Sequence, residues 1–294
     1  MPISSKHWLA FAALGVVWGT SWIAAETLAE YVSPLRGAAA RFLLAAVLCI
    51  PVILWKRLRL PRGRALGFVL LLSVTMIVFP FVLLLWAQRH VPSATVVVLF
   101  AAMPLLLALL TPGVPSRALQ ATIVAVGAIA LAVGASFSAA QAAGAAVALL
   151  AVASTAASLL VARREFMSTN PIGVTFLLLG AAAALLFLAS LVLERGQPPQ
   201  WNRNAIGSVV FLAVVAGGPA YACYFWLLQQ QEAYQVATVQ WIEPLVAIVE
   251  SALFLRSALS FSMVAGSVVT LASLLLVVRA RTEDDNTVSL LGNS

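Results

Sequence analysis

The sequence predicts an all-α membrane protein of ten transmembrane helices arranged as two inverted five-helix repeats. Three observations carry that expectation. The 294 residues are 63% hydrophobic and only 9% charged, with a mean hydropathy of +1.03. Apolar runs of about 18 or more residues, long enough to cross a bilayer as a helix, recur along the chain. Prolines recur in the same order in the two halves. Only helices or closed barrels satisfy their backbone in lipid, and these runs lack the alternation of barrel strands.

The spans follow in order. The first, residues 8–30, begins SSKHWLAFAALGVVW. It resembles a signal peptide, but the run continues past Trp22 and many spans follow, so an uncleaved helix is expected. The second, 33–55, opens on Ser33-Pro34, and the seventh, 171–193, on Pro171. The third (65–88), fourth (92–111), eighth (205–228) and ninth (233–255) each hold a proline: Pro80, Pro104, Pro219 and Pro244. The fifth (117–135), sixth (141–162) and tenth (260–279) complete the set. Residues 282–294, TEDDNTVSLLGNS, are polar and read as a disordered cytoplasmic tail.

The net charge of +7 lies in short loops between apolar runs, where orientation signals belong, and does not point to nucleic acid. With the N-terminus inside, eleven of the seventeen basic residues fall on the inner side, led by the KRLRLPRGR loop. Both termini are therefore expected in the cytoplasm, and the lipid bilayer is the first partner. Cys49 and Cys223 fall within apolar runs without metal-ligand neighbours, so neither a disulfide nor a metal or other cofactor is expected.

The halves are 1–139 and 140–281. Pro34 to Pro104 spans 70 residues and Pro171 to Pro244 spans 73, while Pro80 to Pro104 and Pro219 to Pro244 span 24 and 25. ATVVVLFAAMPLLLALL (94–110) and YQVATVQWIEPLVAIVE (234–250) align with their prolines in register. Five spans is an odd number, so the second half enters the membrane inverted relative to the first. Inverted repeats are a transporter signature, with the substrate expected near the midplane between the halves.

Two stretches of the first half, WGTSWIAAE (18–26) and SPLRGAAARFLLAA (33–46), carry a further resemblance. Together with the proline-centred fourth and ninth spans, they resemble the drug/metabolite transporter superfamily, and within it the EamA-type exporters. The overall likeness is greatest to the bacterial aromatic amino-acid exporters. The resemblance implies the ten-helix drug/metabolite transporter fold, a location in the bacterial inner membrane and outward movement of amino acids. It departs in two places. Arg117 and Ser257 stand where the family often has Gly-Glu, and Thr155 and Ala156 stand where a second Trp-Gly would match Trp18.

The prolines are the first candidates for chemistry. A proline inside a helix cannot donate to the carbonyl four residues back. Pro80, Pro104, Pro219 and Pro244 are expected to kink their helices and free the carbonyls of Met76, Phe100, Val215 and Gln240. Freed carbonyls at membrane depth need a polar side chain, a ligand or a water-lined cavity.

Glu243 is the one acid at the centre of a span, where a charge costs on the order of 3 kcal/mol. It shares a helical face with Gln240 and Glu250. It reads as an amine-binding or proton-carrying carboxylate, or as a structural acid paired across helices. Arg41 lies roughly 10 Å into the second span at 1.5 Å per residue. Arg41 and Glu250 both fall in the outer third, so they read as a structural pair, or Arg41 snorkels. Phe79, Phe100, Tyr221 and Tyr224 lie near the prolines and are candidates for lining a cavity suited to apolar or aromatic groups. Trp8, Trp55 and Trp201, at span ends, read as interfacial anchors. In the sixth span, Ser154, Thr155 and Ser158 favour close packing, with Ser158 a further candidate for substrate contact. Gly15 and Gly19 form a GxxxG packing motif in the first span.

An enzyme is disfavoured: Asp284 and Asp285 are in the tail, and His7 and His90 are at span ends. A channel would want a ring of charges or a filter motif, and none is legible. The expected function is alternating-access export of aromatic or hydrophobic amino acids and related amphiphilic metabolites. The alternatives are another metabolite or drug class on the same fold, or a passive channel. Coupling to protons is open, and Glu243 is its one central seat.

Overall fold

The computed structural model describes residues 5–91, 93–132, 141–254 and 260–279. The expected tail at 282–294, and the end of the fifth span, lie outside them.

Every regular element among the described residues is helical: α1 (Ser5–Ala29), α2 (Pro34–Trp55), α3 (Arg64–Leu72), α4 (Phe79–Ala87), α5 (Ser93–Ala101), α6 (Met103–Leu110), α7 (Ser116–Ala132), α8 (Ala142–Glu165), α9 (Pro171–Leu193), α10 (Arg203–Val214), α11 (Gly218–Gln230), α12 (Ala233–Ala237), α13 (Ile242–Phe254) and α14 (Phe261–Arg279). A π-helical turn, Ser73–Val78, joins α3 to α4, and a 3₁₀ turn, Thr238–Trp241, joins α12 to α13. Among the described residues seven helices are long and apolar enough to cross a membrane, counting α3–α4 and α10–α11 as one each. Thr95–Leu110 and Ser116–Ala132 are shorter apolar helices.

The helix starts are chemically specified. Pro34 and Pro171 open α2 and α9, where a missing N–H costs nothing. Asn170 caps α9 through Ile172 and Gly173, and Asn202 caps α10 through the Ala205 N–H. Glu232 and Gln235 form a reciprocal capping box on α12.

The start of α2 is capped from elsewhere in the chain. Glu194, buried at the end of α9, accepts from Ser33 Oγ (2.6 Å), the Leu35 N–H (2.7 Å) and the Arg36 N–H (3.2 Å). A carboxylate at a helix N-terminus also complements the helix dipole. At the opposite ends of the helices, Arg163 bonds the carbonyls of Leu228 and Gln231 and pairs with Glu232. Gln229 reaches the carbonyls of Phe166 and Thr169.

Small residues allow the close crossings. α2 packs along α9 and α7 along α14, the latter with Gly266 against the Ala128 carbonyl and Ala132. α1 packs on α10, α11 and α13, and α8 packs on α4, α5 and α6. α6 meets α12. The largest buried side chains include Trp241, Tyr234, Phe11, Phe166 and Phe225. Leucines, valines and phenylalanines such as Leu54, Leu131, Phe187 and Leu188 line the outer surface, as expected of helices whose outward faces meet lipid.

Candidate functional site

One face of α1 organises the site. Gly15, Trp18, Gly19 and Trp22 recur at steps of three and four, so they share a helical stripe. A Cβ on Gly15 would lie 2.6 Å from Ile242, and one on Gly19 2.5 Å from Val246. The GxxxG motif therefore seats α13 directly against α1. That crossing brings Trp22 to Glu243, whose Oε2 accepts from the indole Nε1 at 3.3 Å. Among the described residues no Lys, Arg or His forms an ion pair with Glu243.

Aromatic rings complete this region. Trp18 lies 5.7 Å from Tyr221 and 5.2 Å from Tyr224, ring centre to ring centre, and Phe42 meets Tyr221 edge-on at 6.2 Å. Gln240, preceding Glu243 by one turn, has a buried Oε1 without a hydrogen-bond partner. On successive turns of α1, Trp18 thus meets the two phenols of α11 and Trp22 meets the carboxylate of α13. An electron-rich cluster of this kind favours a cation carried on an apolar or aromatic body.

The prolines mark the helix interruptions, but the orphaned carbonyls lie one residue from the expected ones, because the turns change register. In the π turn the reach is five residues, as the Phe79 N–H bond to Val74 shows, so Pro80 orphans Thr75 rather than Met76. Ser154 Oγ donates to that Thr75 carbonyl at 2.6 Å. Ahead of Pro104 the turn begins to tighten, the Ala102 N–H being shared between the Val98 carbonyl at 3.1 Å and the Leu99 carbonyl at 3.2 Å. Trp241 Nε1 donates to the Ala101 carbonyl at 2.8 Å. α10 ends before Pro219, and Trp18 Nε1 donates to Ala216, not Val215, at 3.2 Å. Pro80, Pro104 and Pro219 stand at the second position of new helices, so these spans are broken and restarted. Pro244 follows the 3₁₀ turn at the third position of α13. Beside three of the four prolines, then, a side chain of the protein donates to the carbonyl next to the expected one.

The other candidates divide. Tyr221 and Tyr224 join the cluster. Ser158 is held in packing, sharing a 2.7 Å hydrogen bond with Thr75 Oγ1 and donating to the Ser154 carbonyl at 2.8 Å. Phe100 packs among Ala87, Val91, Leu99 and Ala148, and Phe79 is 40% exposed.

The Arg41–Glu250 pair does not form. Its guanidinium lies 4.6 Å over the Phe42 ring, and the GxxxG crossing holds α13 on α1 rather than on α2. Arg41 instead borders a cavity of about 100 Å³. Among the described residues no group of three or more His, Cys, Asp or Glu is placed to hold a metal.

Three residues central to this arrangement escape the sequence reading as site residues: Trp18, Trp22 and Glu194. The indoles belong to the WGTSW stretch, but nothing local names their partners 198 and 221 residues away. Glu194 carries a weak signal, an acid at one span end opposite the Ser33-Pro34 start of another.

Comparison with known proteins places this geometry. A model of the EamA-like transporter family matches residues 6–140 and again 142–279. The chain is 26% identical over 251 residues to protein PagO of Salmonella typhimurium, covering 81% of each. It is 25% identical over 285 residues to an uncharacterized transporter of Archaeoglobus fulgidus, covering 94% of this chain and all of that one. A solved crystal structure superposes with a TM-score of 0.80 over 93% of this chain and 98% of the other at 17% identity, a likeness of fold.

Proposed function

The chain belongs to the EamA-like transporter family, and from that premise we propose that it exports amino acids, aromatic and hydrophobic ones above all, by alternating access across the bacterial cytoplasmic membrane. The observation that carries the substrate class is Glu243, whose carboxylate accepts from the Trp22 indole and, among the described residues, has no ion-pair partner. A carboxylate at membrane depth is costly without a cation, and a substrate ammonium supplies one. The neighbouring phenols and indoles suit the side chain attached to it.

Two inverted repeats provide the moving parts. The family match falls twice, on 6–140 and 142–279, which supports that reading. So does the packing. Exchange α1 with α8, α2 with α9, α3–α4 with α10–α11, α5–α6 with α12–α13 and α7 with α14. The major contacts map onto one another: α1 on α10, α11 and α13 becomes α8 on α3, α4 and α6. Rocking of such halves about a central site gives alternating access. The excess of Lys and Arg on one side supports a cytoplasmic location for both termini.

The test is uptake by liposomes containing the purified protein, across a panel of amino acids, with and without a pH gradient. Saturable flux of aromatic or large aliphatic amino acids supports the reading. Absence of amino-acid flux contradicts it, and unsaturable flux makes the protein a channel. Flux independent of the gradient removes Glu243 as an obligatory proton carrier.

A further inference from the structure

The cavity bordered by Arg41 is separate from the ring cluster at Glu243. It lies among α1, α2, α4 and α10, towards the turn that joins α1 to α2, and is lined by Ala25, Leu28, Gly37, Phe81 and Leu212. Arg41 is the one charged side chain in its wall. Its Nε is buried without a hydrogen-bond partner, and among the described residues it has no ion pair. Among the described residues no carboxylate pairs with Arg41, and Glu165 and Glu232 are held by Arg64 and Arg163. Glu194 is taken by Ser33 and the start of α2, Glu243 by Trp22, while Glu26 and Glu30 are exposed. A guanidinium at membrane depth with no internal anion marks a place for an external one.

We propose that this cavity is a carboxylate-binding subsite for the amino-acid substrate on its outward path, with Arg41 as the ligand. The proposal rests on the amino-acid reading above. The lining decides the class of anion. One guanidinium in an otherwise apolar wall around about 100 Å³ suits a carboxylate carried on an apolar body. The planar guanidinium offers two parallel N–H donors to such a group, and the Phe42 face beneath it fixes its plane. The Phe42 ring under Arg41 meets Tyr221 edge-on at 6.2 Å, and Tyr221 meets Trp18 at 5.7 Å, so packed rings run from the carboxylate station towards the ammonium station at Glu243. A zwitterion is thus distinguished from a plain amine, which has no use for the second station.

The experiment is equilibrium binding of radiolabelled 3-phenylpropanoate, an aromatic carboxylate without an amine, to the full-length protein in nanodiscs. The wild type should bind it saturably. Arg41→Gln should weaken binding at least about tenfold, and Arg41→Lys, which keeps the charge but not the fork, should lie between. Ala25→Leu, which fills the cavity and leaves Arg41 in place, should also lose binding, while Gly127→Leu, whose side chain meets open space, should retain it. Absence of saturable binding to the wild type, undiminished binding to Arg41→Gln, or displacement by equimolar inorganic phosphate overturns the proposal. Carboxylate binding without amino-acid flux sinks the export reading alone, and flux without carboxylate binding sinks this one alone.

Discussion

The indole N–H of Trp241 donates to the carbonyl of Ala101 across 2.8 Å, joining the two halves of the chain at a helix break. Trp241 is fully buried, so removing the N–H leaves that carbonyl without water to replace it. Trp241→Phe should therefore cost about 1–3 kcal/mol, the penalty for an orphaned buried acceptor. A lowered Tm of the purified protein in detergent checks this, and an unchanged Tm would contradict it.

Glycine positions give a sharper contrast. Gly19→Leu drives a side chain into Val246, and forced overpacking costs typically about 1–3 kcal/mol. Gly127→Leu points into open space and should be nearly neutral. Reduced transport with Gly19→Leu but not Gly127→Leu, at matched expression, is the expected result.

Glu194→Ala removes three hydrogen bonds at the start of α2. Bonds to a charged group contribute about 1.5–3 kcal/mol each at most, and the losses overlap. A drop in Tm larger than that of Ser33→Ala, which removes one of the three, is expected in thermal unfolding.

Much of this was legible in the sequence, and the rest was hidden for a definable reason. Pro80, Pro104, Pro219 and Pro244 mark the interruptions because proline acts on its own backbone. Which carbonyl each one orphans depends on whether the turn before it widens or tightens, and packing sets that. Tyr221, Tyr224 and Glu243 stood out through residue type and depth. Trp18 and Trp22 did not, because their hydrogen bonds join residues about two hundred positions apart. Arg41 and Glu250 shared a depth, but depth does not say which helices touch, and Gly15 with Gly19 holds α13 on α1. Ser158 had the chemistry of a ligand contact, yet Thr75 and the Ser154 carbonyl occupy it.

The central claim is that Glu243 receives the ammonium of the substrate. It is tested most directly by counterflow of a labelled aromatic amino acid in liposomes, comparing the wild type with Glu243→Gln at fixed pH. The carboxamide keeps the shape and the Trp22 acceptor but has no charge for the ammonium. Loss of at least about tenfold in kcat/KM, near 1.4 kcal/mol, is the predicted result. Equal flux in the two proteins would contradict the claim.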